Sequence, residues 1–215
     1  AALNAQQVRM VVSFLSICIT ALLLINVKQT LIVFQEDLTD TRREGIMEKQ
    51  NQRMSPVIRE LTPELLDDYL KFFDHDAFAD NPTWASCYCM FFHFSGTDEE
   101  WDARTASENR ATISDIIRKG QAPGLLAYVG GKPVGWCKVA PRLALPRLNL
   151  YKDLQVDDAD RVGSIVCFVI AKHHRGRGIA RHLLDAACDI LARRGLAFAE
   201  AYPRKHAESG ADNYP

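Results

Sequence analysis

The chain has 215 residues, with 26 basic and 27 acidic side chains for a formal net charge of −1, and 47% of it is hydrophobic against 25% charged. This is the composition of a folded protein with an ordinary core. It excludes a disordered tail, a collagen-like repeat and a general nucleic-acid binder that would meet a polyanion with its whole field. The length suits one domain plus an extension.

Eighteen uncharged residues run from Met10 to Val27, between Arg9 and Lys28, just enough for a candidate membrane helix. Ser13, Ser16, Thr20 and Asn26 weaken that reading, and the polar stretch Gln35 to Arg53 reads as a linker. Three readings compete for residues 1–53: a membrane anchor at 10–27, an amphipathic helix packed on a partner, and non-native upstream sequence read through from an early start codon. Met54-Ser55-Pro56 stands directly before the first strand-like run, which favours the third and sets the domain at 54–215.

From Val57 to Leu61 the residues alternate as a short strand. Thr62-Pro63 then supplies an N-cap with proline in the first helical position. Leu65, Leu66, Tyr69, Leu70 and Phe73 recur at helical spacing and predict a helix that ends before Asn81-Pro82. Thr97-Asp98-Glu99-Glu100 is a capping box that predicts a second helix continuing to Lys119-Gly120. Between the helices lies a loop rich in aromatic residues and cysteine, Trp84 to Phe94. Two strands, Gly124 to Val129 and Pro133 to Val139, flank Gly130-Gly131-Lys132 and predict an antiparallel hairpin. After a loop marked by Pro141 and Pro146, Gly163 to Ile170 is a nearly continuous apolar run, expected of a strand buried on both faces. A helix with an apolar stripe of Ile179, Leu183, Ala186, Ala187, Ile190 and Leu191 follows, then Gly195 and a last strand, Leu196 to Tyr202. The predicted order is β α α β β β α β.

Six cysteines (Cys18, Cys87, Cys89, Cys137, Cys167, Cys188) are scattered through a chain too long and apolar to need disulfide staples. They read as reduced thiols, and the protein as cytoplasmic. Cys87-Tyr88-Cys89 with His93 lacks the second ligand pair a tetrahedral site needs, so no metal is expected.

The chemistry concentrates at the junction Cys167-Phe168-Val169-Ile170-Ala171-Lys172-His173-His174-Arg175-Gly176-Arg177-Gly178-Ile179-Ala180. Gly176 and Gly178 remove Cβ atoms where a ligand must approach the backbone, and the amides that open the helix are unpaired donors. Lys172, Arg175 and Arg177 add positive charge beside the positive end of the helix dipole, so the junction predicts a pyrophosphate site. A Walker loop is excluded because no Gly-Lys-Ser/Thr occurs here. The dinucleotide fingerprint is excluded because it needs three glycines and a parallel topology.

With these residues the chain resembles the GNAT superfamily of N-acetyltransferases. Arg175, Gly178 and Ala180 match that family's acyl-CoA signature, and the resemblance extends through the element order from Met54 to Pro215. It implies a mixed, mostly antiparallel sheet flanked by helices and splayed between the strand ending at Ile170 and the last strand. It implies acetyl-CoA as cofactor, with its pyrophosphate held along Arg175, Gly176, Arg177, Gly178, Ile179 and Ala180 and its pantetheine arm along Phe168, Val169 and Ile170. The implied reaction is direct attack of a primary amine on the thioester in a ternary complex; the alternative is a catalytically silent acyl-CoA-binding or regulatory domain. In many members a tyrosine on a later helix supplies a proton, and this chain stops at Asn213-Tyr214-Pro215. A C-terminally truncated domain that binds the cofactor and transfers poorly is therefore expected.

Glu200, sharing a strand face with Tyr202, is the candidate general base, with a solvated carboxylate as the plain alternative. Cys167 reads as a small buried residue, since no base is identifiable beside it. His173 and His174 are candidate phosphate contacts or plain turn histidines. Trp84, Tyr88 and His93 occupy the place where the resemblance puts the acceptor pocket. The expected partners are a small-molecule or peptide amine, no nucleic acid, a membrane only if residues 10–27 are a true anchor, and a second copy of the chain through an open sheet edge.

Overall fold

In the computed structural model, which describes residues 10–13 and 55–202, six strands form one sheet. They are β1 (Met10–Ser13), β2 (Val57–Glu60), β3 (Leu125–Val129), β4 (Lys132–Pro141), β5 (Val162–Ile170) and β6 (Phe198–Ala201). The helices are α1 (Leu66–His75), α2 (Asp98–Asp102), α3 (Ala106–Arg118) and α4 (Ile179–Arg193). The sheet order is β1-β6-β5-β4-β3-β2, antiparallel throughout except for the parallel pair β5 and β6.

The hairpin between β3 and β4 turns on Gly130 and Gly131, both left-handed at φ 59° and 78°, the geometry of a tight turn that side chains other than glycine resist. β4 is buried from Pro133 to Ala140, and β5 is buried at all positions but two, so both run through the middle of the sheet. Helix α4 lays Ile179, Leu183, Ala187, Ile190 and Leu191 on one face of the sheet. The other face is covered by α1, α3 and the aromatic segment, with Tyr69, Phe72, Phe73, Ile113 and Ile117 packed on Trp136 and Val169.

Two helix expectations differ from what is found. Pro63 opens a 3-10 turn, Pro63–Leu65, and the α-helix proper begins only at Leu66. The second expected helix is two helices. Thr105 accepts from the Glu108 amide while Glu108 reaches back to Thr105, a second capping box inside the sequence Thr105-Ala106-Ser107-Glu108. Arg104, bonded to Asn109 and Thr112, holds the break.

Met10–Ser13, within the window read as a candidate membrane helix, is extended and pairs with Phe198–Ala201 at the sheet edge. The rest of that window, and residues 203–215 where the expected truncation falls, lie outside the described residues. Among the described residues no helix is long and apolar enough to cross a membrane.

Candidate active site

β5 is longer than its parallel partner. Val162 to Ile165 pair with Phe198 to Ala201, and beyond that β5 continues to Ile170 with no strand beside it among the described residues. On its other side the register with β4 slips at the same place: Lys138 opposes Cys167, yet Val139 opposes Ile165, which leaves Val166 as a bulge. The splay and the bulge coincide, so beyond Ile165 the side of β5 that faces β6 has no strand paired to it among the described residues. Phe168, Val169 and Ile170 lie on this open edge.

At the end of that edge the chain makes a 3-10 turn, Lys172–His174, and enters α4 through Gly176 and Gly178, at φ 72° and 76°. Among the described residues none of the amide N–H groups of Gly176, Arg177, Gly178, Ile179 or Ala180 donates to a backbone carbonyl. A Cβ built on Gly176 or Gly178 meets no atom within 4 Å, so the glycines serve the left-handed turn and leave open space over the amides. Consecutive unpaired N–H groups at a helix N-terminus are a cradle for a phosphate-sized anion. His174, Arg177, Ile179 and His182 line a pocket of about 230 Å³ beside it, closed by Pro56 and Val129. Burial and then the neighbouring Arg177 cation pull the His174 imidazole down from its ordinary value.

One expected cation is already engaged. Arg175 forks onto Asp80 at 2.7 and 3.1 Å and donates from Nε to the Ile170 carbonyl at 2.9 Å. Its side chain fastens the end of β5 to the loop after α1, and the positive charge left at the cradle is that of Arg177 and Lys172.

Glu200 pairs with Ser164 inside the β5–β6 ladder and is not a solvated carboxylate. It is 1% exposed and ion-paired to Arg142, itself 1% exposed, and Ser164 Oγ donates to its Oε1 at 2.6 Å. Arg142 also donates to the Tyr202 hydroxyl at 2.9 Å and to the Leu148 and Leu154 carbonyls. The carboxylate is thus the anchor of an arginine that gathers the loop between β4 and β5. Arg147 extends the network, bonded to Asp98 and Gly96 and lying 4.6 Å over the Phe91 ring.

The three expected acceptor residues do not form one wall. Tyr88 is buried in the core, with its carbonyl accepting from the Tyr69 hydroxyl at 2.6 Å and its own hydroxyl donating to Asp74 at 2.8 Å. Trp84 is half-buried against the same core. His93 is half-buried and its Nε2 meets the Nζ of Lys138. Of the three, His93 meets Lys138, the β4 residue opposite Cys167, a lysine that sequence reading missed. Lys138 stands in phase with Trp136 and Ala140 in a run otherwise apolar from Pro133 to Pro141, and that anomaly was the signal.

Lys138 is 1% exposed, and burial pulls its amine down to about 8; burial and the Lys138 cation together pull His93 down to about 3. The folded chain thus holds the lysine proton less tightly than the unfolded chain, whose value is near 10.5. The unfolded state binds more protons between pH 8 and 10.5, so this residue's contribution to stability rises with pH through that window and is fully unfavourable below it. Urea unfolding of wild type and Lys138→Met is expected to show the variant gaining most at neutral pH, with the difference shrinking above pH 8. A constant difference across the range would contradict a buried, depressed lysine.

The family model for the acetyltransferase (GNAT) family matches residues 64–209, and the chain belongs to that family. Its cofactor is acetyl-CoA. Among solved structures it is similar to a GCN5-related N-acetyltransferase from Ralstonia eutropha JMP134, at 21% identity over 70% of this chain and 84% of that one, TM-score 0.42. It is also similar to the PaiA N-acetyltransferase from Thermoplasma acidophilum in complex with coenzyme A, at 14% identity over 66% and 76%, TM-score 0.40. A ribosomal-protein-alanine N-acetyltransferase from Brucella melitensis biovar Abortus 2308 aligns at 16% identity over 72% and 82%, TM-score 0.41. No curated protein matches the chain.

Proposed function

We propose that the chain is an N-acetyltransferase that acetylates a primary amine of a small molecule or peptide, with residues 54–215 as its domain. The observation that carries this reading is the run of unpaired amides from Gly176 to Ala180 at the end of the open β5 edge. The amides, with Arg177 and Lys172, would hold the pyrophosphate. The edge from Phe168 to Ile170 would bind the pantetheine arm as an added strand binds, by main-chain hydrogen bonds. When bound, acetyl-CoA supplies a thioester that the acceptor amine attacks directly in a ternary complex. The loop held by Arg142 and Glu200 walls the acceptor side, and Glu200 acts by positioning it. His93 borders the acceptor, while Trp84 and Tyr88 brace the segment that carries it.

Cytoplasmic placement is supported by the buried free thiols Cys87, Cys89, Cys137 and Cys167. A second reading, an acyl-CoA-binding domain without turnover, is favoured by one observation, the commitment of Glu200 to an ion pair. CoA thiol release with a panel of amines and amino-terminal peptides separates the two. Amine-dependent release supports the transferase; tight binding without release supports the second reading.

The fragment 54–215 is expected to fold and to bind CoA with affinity within a few-fold of the full chain. Both α-helical layers and β2 to β6 lie within it, and among the described residues only the edge strand β1 is lost. Circular dichroism and CoA titration of the fragment check this, and an unfolded fragment would show that the extension is part of the core.

A further inference from the structure

Arg175 stands between the 3-10 turn Lys172–His174 and Gly176, the first residue of the cradle. Its side chain turns back on the chain. Nε donates to the Ile170 carbonyl at 2.9 Å, five positions earlier, and closes a ring around Ala171 to His174. The backbone holds that turn unevenly. The His174 amide donates to the Ala171 carbonyl at 2.8 Å, whereas the Arg175 amide reaches the Lys172 carbonyl only at 3.4 Å, beyond the usual range. From Gly176 to Ala180 the amides have no backbone acceptor among the described residues, and two of those positions are glycines, which lose the most conformational freedom on ordering. The cradle thus has little of its own to fix it, and the Arg175 side chain is the tie at its entrance.

The far end of the guanidinium is held by Asp80, 95 positions away. Nη1 donates to Oδ2 at 2.7 Å and Nη2 to Oδ1 at 3.1 Å, a two-pronged contact that fixes the plane of the guanidinium as well as its place. The carboxylate is itself held. Ala77 and Phe78, 0% and 4% exposed, sink the loop after α1 into the core that also contains Val169 and Ala171 at the end of β5. On the other side of Asp80, the Asn81 amide donates to the Phe78 carbonyl at 3.0 Å and the Trp84 amide to the Asn81 carbonyl at 3.1 Å. The hydrogen bond from Arg175 outweighs burial and keeps the Asp80 carboxyl below its ordinary value.

We propose that Asp80 is a positioning residue for the cofactor: by fixing Arg175 it holds the turn from Ala171 to Gly178 in the shape that presents the amides of the cradle. The proposal rests on the reading of that cradle as the pyrophosphate site. Asp80 acts through Arg175 and not on the ligand.

Two opposed effects give the test its sign. As a charge alone, the Asp80 carboxylate neutralises Arg175 beside an anion site, so its removal would strengthen binding, most of all at low salt. As a positioning group it keeps the turn ordered in advance, so its removal weakens binding at any salt, because the ligand must then order the turn itself. The side chains of the fork are 34% and 23% exposed, so it contributes little to the stability of the whole fold. The loss belongs in affinity.

Calorimetric titration of the full chain with CoA at low and at high salt, with thermal unfolding alongside, is the test. Asp80→Ala is expected to bind CoA about 10-fold more weakly than wild type at both salt concentrations, and to unfold close to the wild-type temperature. Asp80→Glu is expected to restore most of the affinity, and Asp80→Ala placed on Arg175→Ala to add no further loss. Asp80→Asn keeps the shape of the side chain without its charge; it is expected to fall between wild type and the alanine variant, and it decides the matter if the alanine variant does not fold. Equal or tighter binding by these neutral variants, or a full further loss on the Arg175→Ala background, would overturn the proposal and leave the cradle in place. A folded wild-type chain that binds no CoA would overturn the cradle reading itself, and this proposal with it.

Discussion

Replacing Gly178 by glutamate is expected to weaken CoA binding by at least about 100-fold while leaving the domain folded. The residue sits at φ 76° with open space where its Cβ would project, directly over the amides from Gly176 to Ala180. A carboxylate there places like charge against the pyrophosphate and blocks hydrogen bonds to a charged ligand, each worth about 1.5–3 kcal/mol. Two such bonds correspond to roughly 100-fold or more in affinity. The cost to folding is limited to the left-handed strain, about 1–2 kcal/mol. Gly178→Ala carries the strain without the charge and is expected to keep most of the affinity. Equilibrium dialysis against CoA, with thermal unfolding alongside, measures both. Near-wild-type affinity in the glutamate variant would remove the cradle from the site.

The second large effect is expected at Glu200. Removing one partner of a buried ion pair strands the other, at about 3–5 kcal/mol. Arg142 would keep its carbonyl partners and lose the one carboxylate it pairs with among the described residues. Glu200→Ala should therefore lower the unfolding free energy measured in urea by that amount, and the midpoint with it, whereas Arg142→Met with Glu200→Met should recover much of it. A general base behaves differently: its neutral replacement leaves stability alone and lowers the rate by roughly 10² to 10⁴. An unchanged midpoint with a collapsed rate in Glu200→Gln would return Glu200 to the catalytic role that its strand position suggested.

The strand, turn and helix of the candidate cradle were legible because local signals carried them. Glycines at 176 and 178, the apolar run before them and the amphipathic stripe after them are short-range features, and the splay follows from β5 being longer than β6. The break between α2 and α3 was also local, in the Thr105 to Glu108 box, but it was masked by the stronger box at Thr97 that precedes it. The contacts around Arg142 and Lys138 were not legible in the same way. Arg142 reaches Glu200 across 58 positions and Lys138 reaches His93 across 45, so their partners are set by tertiary packing far along the chain. The bulge at Val166 sets which residue of β5 lies opposite Lys138, and no residue at that position announces it. Composition could say that Trp84, Tyr88 and His93 share a segment, but not that left-handed turns at Tyr88 and Cys89 would send one ring into the core and leave the imidazole beside Lys138.

The central claim is that the amides opening α4, with the free edge of β5, bind acetyl-CoA. Calorimetric titration of the full chain with acetyl-CoA, repeated at increasing salt, tests it most directly. Saturable one-to-one binding that weakens as salt screens the Arg177 and Lys172 charges is predicted. Absence of binding at millimolar acetyl-CoA by a folded chain would contradict it.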